Sequence, residues 1–287
     1  MAKINQISVI GVGLIGGSLA RALREVGFMD TIVGCGLDKS HLQQAIDLDV
    51  IDKYETDVAK AVHGSDLVIV AVPVGAMQAV FRDIKSSISS DAVITDVGST
   101  KASVIDAVSA AYGEVPSNFV PGHPIAGTEK SGVGASFPGL FHQRRVVLTP
   151  LSNTDKSAIE TVTRMWQATG AVVSIMDVKH HDDVLAATSH LPHLLAFALV
   201  DTLAALDEKA EIFQYAAGGF RDFSRIASSD PQMWHDICVN NRNAILTILK
   251  RFQIDLDKLG KAIETNDSDY ILDVFKRAKA SRDQFSQ

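Results

Sequence analysis

The sequence predicts an α/β chain, a doubly wound parallel sheet followed by an all-helical domain. Three observations predict it. Short apolar runs alternate with helical periodicity from Ile7 to Met176. A glycine triplet, Gly11-x-Gly13-x-x-Gly16, joins the first run to the first helix. After Met176 strand-like runs stop and three-to-four periodicity takes over, so the boundary falls near Asp177 and the domains are 1–176 and 177–287.

Ile7, Val9 and Ile10 read as a buried strand, and Leu14 to about Arg24 as a helix stopped by Gly27. In between, Gly11 permits a tight turn, Gly13 lets the backbone approach a pyrophosphate, and Gly16 lets the helix pack on the strand. Phosphates then lie at the positive end of the helix, with Leu14 and Ile15 beside them. The second strand, from Thr31, ends in Asp38, 22 residues after Gly16. A carboxylate there hydrogen-bonds the adenosine ribose and repels a 2′-phosphate, which favours NAD over NADP. Lys39 and Ser40 soften that preference, so NADP is not excluded. Asp38 also suits the N-cap of a helix over Ser40–Leu48.

Asp66–Pro73 is a continuous apolar run, as a strand buried on both faces requires; Val72 and Pro73 at its end are further cofactor candidates. Ala92–Asp96 is the next strand and leads through Val97-Gly98-Ser99-Thr100-Lys101 into another helix. Ser99 stands at the carboxyl end of a strand, where such folds bind ligands, or else is an N-cap. His123, between Gly122 and Pro124 at the end of a short strand, reads as an imidazole presented by a fixed loop, catalytic or structural. Arg144–Pro150 supplies a strand with a solvated arginine start, and Ala171–Met176 closes the sheet.

Val184–Leu206 reads as one long apolar helix modulated by Pro192, entered through His180-His181-Asp182-Asp183, which read as capping and solvated charge. His190 and His193 share a helical face, but no third ligand has clear spacing, so no metal is expected. Gly218 and Gly219 free the backbone before Arg221 and Arg225. Asp230 and Pro231 read as N-cap and first residue of a helix carrying Trp234, Ile237, Cys238, Asn241, Ile245, Ile248 and Phe252. On local sequence Trp234 is a core residue and Arg225 half of a surface ion pair. Tyr270–Gln287 reads as an amphipathic tail helix. An apolar helical domain without strands is expected to bury its faces against a second subunit, as a homodimer.

A net charge of −7 and a pI near 5.7 argue against nucleic-acid or membrane-surface partners. An anionic small molecule fits if local cations receive it. Cys35 and Cys238 stand far apart, outside any metal spacing, and read as buried small hydrophobes in a reducing compartment. The first strand follows Met1-Ala-Lys directly, without a signal peptide, and the later apolar run Leu194–Leu199 is too short to span a bilayer. A soluble, cytoplasmic protein is expected.

Five motifs occur in order: Gly11-Val-Gly-Leu-Ile-Gly-Gly-Ser18, Asp96-Val-Gly-Ser-Thr-Lys101, Gly122-His-Pro-Ile-Ala-Gly-Thr-Glu129, Ser189-His-Leu-Pro-His193 and Gly218-Gly-Phe-Arg-Asp-Phe-Ser-Arg-Ile-Ala227. Together they resemble the prephenate/arogenate dehydrogenase family of tyrosine biosynthesis over nearly the whole chain. The resemblance implies a Rossmann domain followed by a helical dimerisation domain, in the minimal, monofunctional form. It implies that His123 hydrogen-bonds the ring hydroxyl of the substrate, with Ser99 supporting both. It places His193 at the substrate pocket and Arg225 on the ring carboxylate. The backbone near Gly218, and Trp234 from the partner subunit, would lie near the substrate side chain, and His190 falls within a matching motif. The implied reaction is oxidative decarboxylation of prephenate, to 4-hydroxyphenylpyruvate, or of arogenate, to tyrosine, with hydride transfer to NAD(P). Two alternatives are a β-hydroxyacid-type dehydrogenase, which would rely on a lysine of the helical domain, and an NAD-binding sensor without turnover. The intact set Ser99, His123, His193 and Arg225 argues against the sensor.

Overall fold

The computed structural model describes residues 4–207 and 209–284. The expected leaderless start at Met1-Ala-Lys and the last three residues of the expected tail helix lie outside the described residues. The first part alternates β1 (Gln6–Ile10), α1 (Leu14–Glu25), β2 (Thr31–Cys35), α2 (Lys39–Asp47), β3 (Lys53–Glu55), α3 (Val58–Ala61), β4 (Leu67–Val70), α4 (Val74–Ile84), β5 (Val93–Asp96), α5 (Lys101–Tyr112) and β6 (Phe119–Val120). These strands form one six-stranded sheet in the order β3-β2-β1-β4-β5-β6, with every pairing parallel. That is the doubly wound order of a dinucleotide-binding fold. All four residues of β4 are buried, because helices cover both faces. Phe81, Val104 and Phe119 fill one side; Leu19, Leu23 and Trp166 fill the other.

Register sets where the site forms. Ile10 pairs with Cys35 and Val70, and Val70 with Asp96, so these strands end level. Gly11, Asp38, Val72 and Ser99 therefore follow their strands at one sheet edge. Gly11 adopts φ +98°, and a Cβ there would lie 2.5 Å from the Ala71 carbonyl oxygen. Only glycine fits.

Two expectations about the sheet are corrected. Arg145–Leu148 and Val172–Ile175 do not extend the main sheet. With β7 (Gly122–Pro124) they make a separate three-stranded sheet, as β8 (Arg145–Leu148) and β9 (Val172–Ile175), β9 being reached through α6 (Lys156–Ala168). His123 accordingly lies within β7, opposite Val147, and not in a loop. Ladder hydrogen bonds to β8 hold its backbone more firmly than a loop would.

Helices follow: α7 (Val178–Leu185), α8 (Leu191–Ala204), α9 (Lys209–Gln214), α10 (Gly218–Ser224), α11 (Pro231–Asn240), α12 (Arg242–Glu264) and α13 (Ser268–Gln284). The long apolar helix begins at Val178, earlier than expected, and runs to Ala204. A π-helical turn, Ala186–His190, joins α7 to α8, with the Leu191 N–H reaching back to the Ala186 carbonyl. This wider turn precedes Pro192, which has no N–H to continue an ordinary ladder. The helix expected from Pro231 to Phe252 is broken at Asn241, whose backbone (φ −106°, ψ 30°) leaves the helical region. Asp230 and Pro231 do take the N-cap and first positions, with the Asp230 carboxylate accepting the Met233 N–H at 2.8 Å. By compactness the chain forms two units, the first ending at Arg242 and the second beginning at Asn243. Helices α7–α11 thus belong to the same unit as the sheets.

Candidate active site

The site grows from a fully buried ion pair. Asp96 ends β5, Lys101 begins α5, and both side chains are inaccessible to solvent. The Lys101 ammonium donates to Asp96 Oδ2 and, at 2.6 Å, to the Gly122 carbonyl. Asp96 Oδ1 accepts the Gly122 N–H at 3.1 Å, and Oδ2 accepts the Gly98 N–H at 2.7 Å. Both backbone polar groups of Gly122, the residue before His123, are thereby clamped. Burial lowers the Lys101 pKa, and the Asp96 carboxylate opposes that shift.

The imidazole of His123 is held from the other side. Its Nδ1 lies 2.9 Å from His181 Nε2, and His181 Nδ1 lies 2.9 Å from Asp182 Oδ1. A carboxylate only accepts, so His181 carries its proton on Nδ1 and its Nε2 accepts from His123 Nδ1–H. His123 Nε2 is left with a free lone pair. Burial first, then the neighbouring His181, Lys101 and His190, pushes the His123 pKa well below 6.5, so the ring is neutral at pH 7.

Asp182 closes the arrangement into a ring. Its two oxygens accept the backbone N–H groups of Lys101 and Ala102 at 2.8 and 2.9 Å. Helix α5 has no side-chain cap of its own, so a carboxylate from α7 serves as one. Burial acts to raise the Asp182 pKa, but the bonds from His181, Lys101 and Ala102 hold it below the ordinary carboxylate value. The expected reading of His181 and Asp182 as solvated charge is therefore corrected: both are buried.

Asn241, at the break before α12, donates to the Asp182 carbonyl at 2.8 Å and to His190 Nδ1 at 3.0 Å. Burial pushes the His190 pKa down to about 4. His193 Nδ1–H donates to the Ser189 carbonyl at 2.9 Å, which leaves its Nε2 an acceptor. Burial lowers its pKa too, and the Arg225 charge adds to that. Trp234 of the same chain lies flat on His193, with ring centroids 3.7 Å apart. The resemblance expects Trp234 beside the substrate pocket, and the indole of this chain lies against His193 there. His190 Nε2 and Trp234 Nε1 are buried with no protein partner. Such donors cost about 1–3 kcal/mol each unless water or a ligand satisfies them.

The other sequence candidates fall as follows. Ser99 is half-buried and is not the N-cap of α5; Thr100 is. Arg225 is exposed and makes a long 3.4 Å contact to Glu129. An ion pair of that kind is worth at most about 1 kcal/mol, so an incoming carboxylate competes with it readily. Gly218 begins α10 with open space where a Cβ would be. Asp38 does cap α2: its Oδ1 accepts from Ser40 and His41, and these bonds, led by the Ser40 hydroxyl, lower its pKa. Leu14, Ile15 and Val72 are half-buried, and Pro73 is exposed.

Sequence reasoning did not assign roles to Lys101, Asp96, His181, Asp182 or Asn241. Asp96 and Lys101 are the first and last residues of the second motif, and two charges bracketing a helix start were the available signal. His181-Asp182 offered none, because a helix entry and a buried dyad read alike.

Residues 19–175 match the family model described as prephenate dehydrogenase, nucleotide-binding domain, and residues 177–277 the one described as prephenate dehydrogenase, dimerization domain. The chain is 38% identical to the cyclohexadienyl dehydrogenase of Zymomonas mobilis subsp. mobilis, over 98% of this chain and 96% of that one. It resembles the crystal structure of prephenate dehydrogenase from A. aeolicus in complex with hydroxyphenyl propionate and NAD+, with a TM-score of 0.91, 36% identity and 99% of each chain covered. Synechocystis arogenate dehydrogenase aligns with a TM-score of 0.81 and 26% identity, over 98% of this chain and 99% of that one.

Proposed function

The chain belongs to the prephenate dehydrogenase family, and on that premise we propose that it oxidatively decarboxylates prephenate, arogenate or both, with hydride transfer to NAD. The observation that carries this reading is the neutral His123, held through the Gly122 backbone by Asp96 and Lys101 and on its ring by His181 and Asp182, with Nε2 free.

The glycine turn fits NAD. Helix α1 has no side-chain cap and no acidic residue in its first turn, and a Cβ on Gly13 would meet nothing within 4 Å. That is an open, positively polarised helix start, as a pyrophosphate requires. A Cβ on Gly16 would lie 2.2 Å from the Gly11 carbonyl oxygen, so the close helix–strand packing needs glycine. Leu14, Ile15, Val72 and Pro73 would line the same edge. No bond among the described residues occupies Asp38 Oδ2, which is therefore the acceptor for ribose hydroxyls while Oδ1 caps α2. When bound, NAD supplies the hydride acceptor.

The chain's residues supply the rest. His123 Nε2 accepts the proton of the ring hydroxyl as hydride leaves the same carbon, and Ser99 supports that hydroxyl. The resulting ring ketone takes up the electrons of the carboxylate's C–C bond as carbon dioxide leaves, and the phenolate oxygen takes a proton back. Aromatisation drives the loss, so no group need activate the carboxylate. His181, accepting from Nδ1–H, is held by Asp182 and stabilises the imidazolium that forms. His193, backed by Trp234, forms the wall of the substrate pocket. Gly218 and the unpaired donors of His190 and Trp234 would face the substrate side chain.

Arg225 binds and orients the ring carboxylate; gripping it harder would oppose its departure as neutral carbon dioxide. Arg225→Gln should therefore raise KM for the cyclohexadiene roughly tenfold or more while kcat falls much less. A kcat loss at unchanged KM would remove Arg225 from this role. Steady-state rates with prephenate and arogenate, each with NAD and NADP, test the whole reading and assign the substrate.

We take 177–287 as the dimerisation domain of a homodimer. None of the described residues of α13 is buried, and Leu272 and Phe275 on it are exposed. Helix α12 exposes Leu246, Ile254, Leu256 and Ile263. A second copy of the chain would cover such faces. The segment Val178–Ala204 is long and apolar enough to cross a membrane by length and composition. Its buried His181, Asp182 and His190 instead bond to Lys101, His123 and Asn241, as a water-soluble enzyme site requires. A cytoplasmic location is consistent with this chemistry.

A further inference from the structure

Helix α4 follows Val72 and Pro73 at the cofactor edge, and its N-cap, Pro73, offers no side-chain hydrogen bond. Its first turn is not left bare. The Asp236 carboxylate, from α11, lies against the backbone of Gly75, and after His235 and Gln232 the Gly75 N–H helps to lower its pKa. It also accepts from Gln232 Nε2 at 2.8 Å and lies 3.0 Å from His235 Nδ1, on its own helix. Only 14% of the Asp236 side chain is exposed. The fit is close on the other side as well. A Cβ built on Gly75 would lie 2.7 Å from Asp236 Oδ2, and its three nearest neighbours would all be Asp236 atoms. Gly75 has no backbone conformation that demands glycine, so glycine is needed there for the approach of this carboxylate. Two residues before Asp236 on the same helix, Trp234 lies flat on His193.

We propose that Asp236 is a positioning residue: by capping α4 from α11, it seats Trp234 on His193 and so shapes the wall that receives the substrate. The inference rests on the family reaction proposed above. It repeats the device seen at α5, where Asp182 caps from α7. Two of the helices that leave this edge, α4 and α5, thus meet an aspartate from the helical part at their first turn. The N-terminus of α1 keeps no such partner and stays open for phosphate.

The test is a double-mutant cycle on Asp236 and Gly75, neither of which touches the reacting atoms. Asp236→Ala removes the cap, and Gly75→Ala pushes the carboxylate out by contact. Each should raise KM for the cyclohexadiene substrate roughly fivefold or more, with kcat changed by less than about twofold. Because the lesion in Gly75→Ala is the clash with Asp236, the double variant should be no worse than Asp236→Ala alone. Asp236→Asn, which keeps an acceptor oxygen, should restore KM to near the parent value. A second readout needs no turnover. In a Trp166→Phe background the remaining tryptophan is Trp234, and Asp236→Ala should shift its emission to longer wavelength while Asp236→Asn does not. Fluorescence unchanged by Asp236→Ala, or KM losses that multiply in the double variant, would overturn the proposal. If the parent chain turns over neither substrate, the proposed reaction fails, and the emission measurement still decides the seating of Trp234.

Discussion

His123→Asn should lower kcat by about 10²–10⁴-fold while KM for the substrate and the affinity for NAD stay within a few-fold. Asparagine approximates the Nδ1 end of the ring and keeps a donor toward His181, but it has no basic nitrogen at the Nε2 position. The substrate still binds; its hydroxyl proton has no acceptor. The pH profile sharpens the expectation. Burial and the charges around it hold the His123 pKa well below 6.5. The base is active when neutral, so kcat/KM should be lost as pH falls through that lowered value, and the acidic limb of the parent enzyme should lie below pH 6.5. The same limb should vanish from the residual activity of His123→Asn. A limb at or above 6.5 would mean that the imidazole is not enclosed as described.

Lys101→Met should be the most destabilising single substitution in the site, by about 3–5 kcal/mol, because it strands a buried carboxylate. The Lys101 and Asp96 side chains are both fully inaccessible, so water cannot reach the remaining charge. Asp96 would keep the N–H groups of Gly98 and Gly122, but the Gly122 carbonyl would lose its partner. Chemical or thermal unfolding reads the stability loss. Protein that remains folded should also lose kcat, since the peptide before His123 is then held by one clamp fewer. A stability change below about 1 kcal/mol would show that the pair is not the buried anchor of the site.

Much of this was legible in the sequence, and the limits have physical causes. Periodicity located β1, β2, β4, β5 and the glycine turn, because burial on both faces forces continuous apolar runs such as Leu67–Val70, whereas the short, largely exposed β3 gave no such run. It could not tell that β7, β8 and β9 leave the main sheet, since an apolar strand reads alike in either sheet. The five motifs identified the family, and they included His123, His193 and Arg225. What supports His123 was hidden. Lys101 is a lysine at a helix start, which usually reads as a solvated charge, and His181-Asp182 resembled a polar helix entry. Their burial follows from the crossing of α7 over the start of α5, a contact 81 residues apart in sequence. Asp38 combined two readings that local sequence set against each other, since one carboxylate oxygen caps a helix and leaves the other for the ribose. Trp234 read locally as a core residue; its stack on His193 follows from where α11 carries it, which local sequence does not show.

The most direct test of the central claim is a stoichiometric assay of the purified chain with NAD and either prephenate or arogenate. It measures reduced nicotinamide, carbon dioxide and the aromatic product together. The account predicts all three in equal amounts, with 4-hydroxyphenylpyruvate formed from prephenate or tyrosine from arogenate. Tight NAD binding with no reduced nicotinamide from either substrate would contradict it.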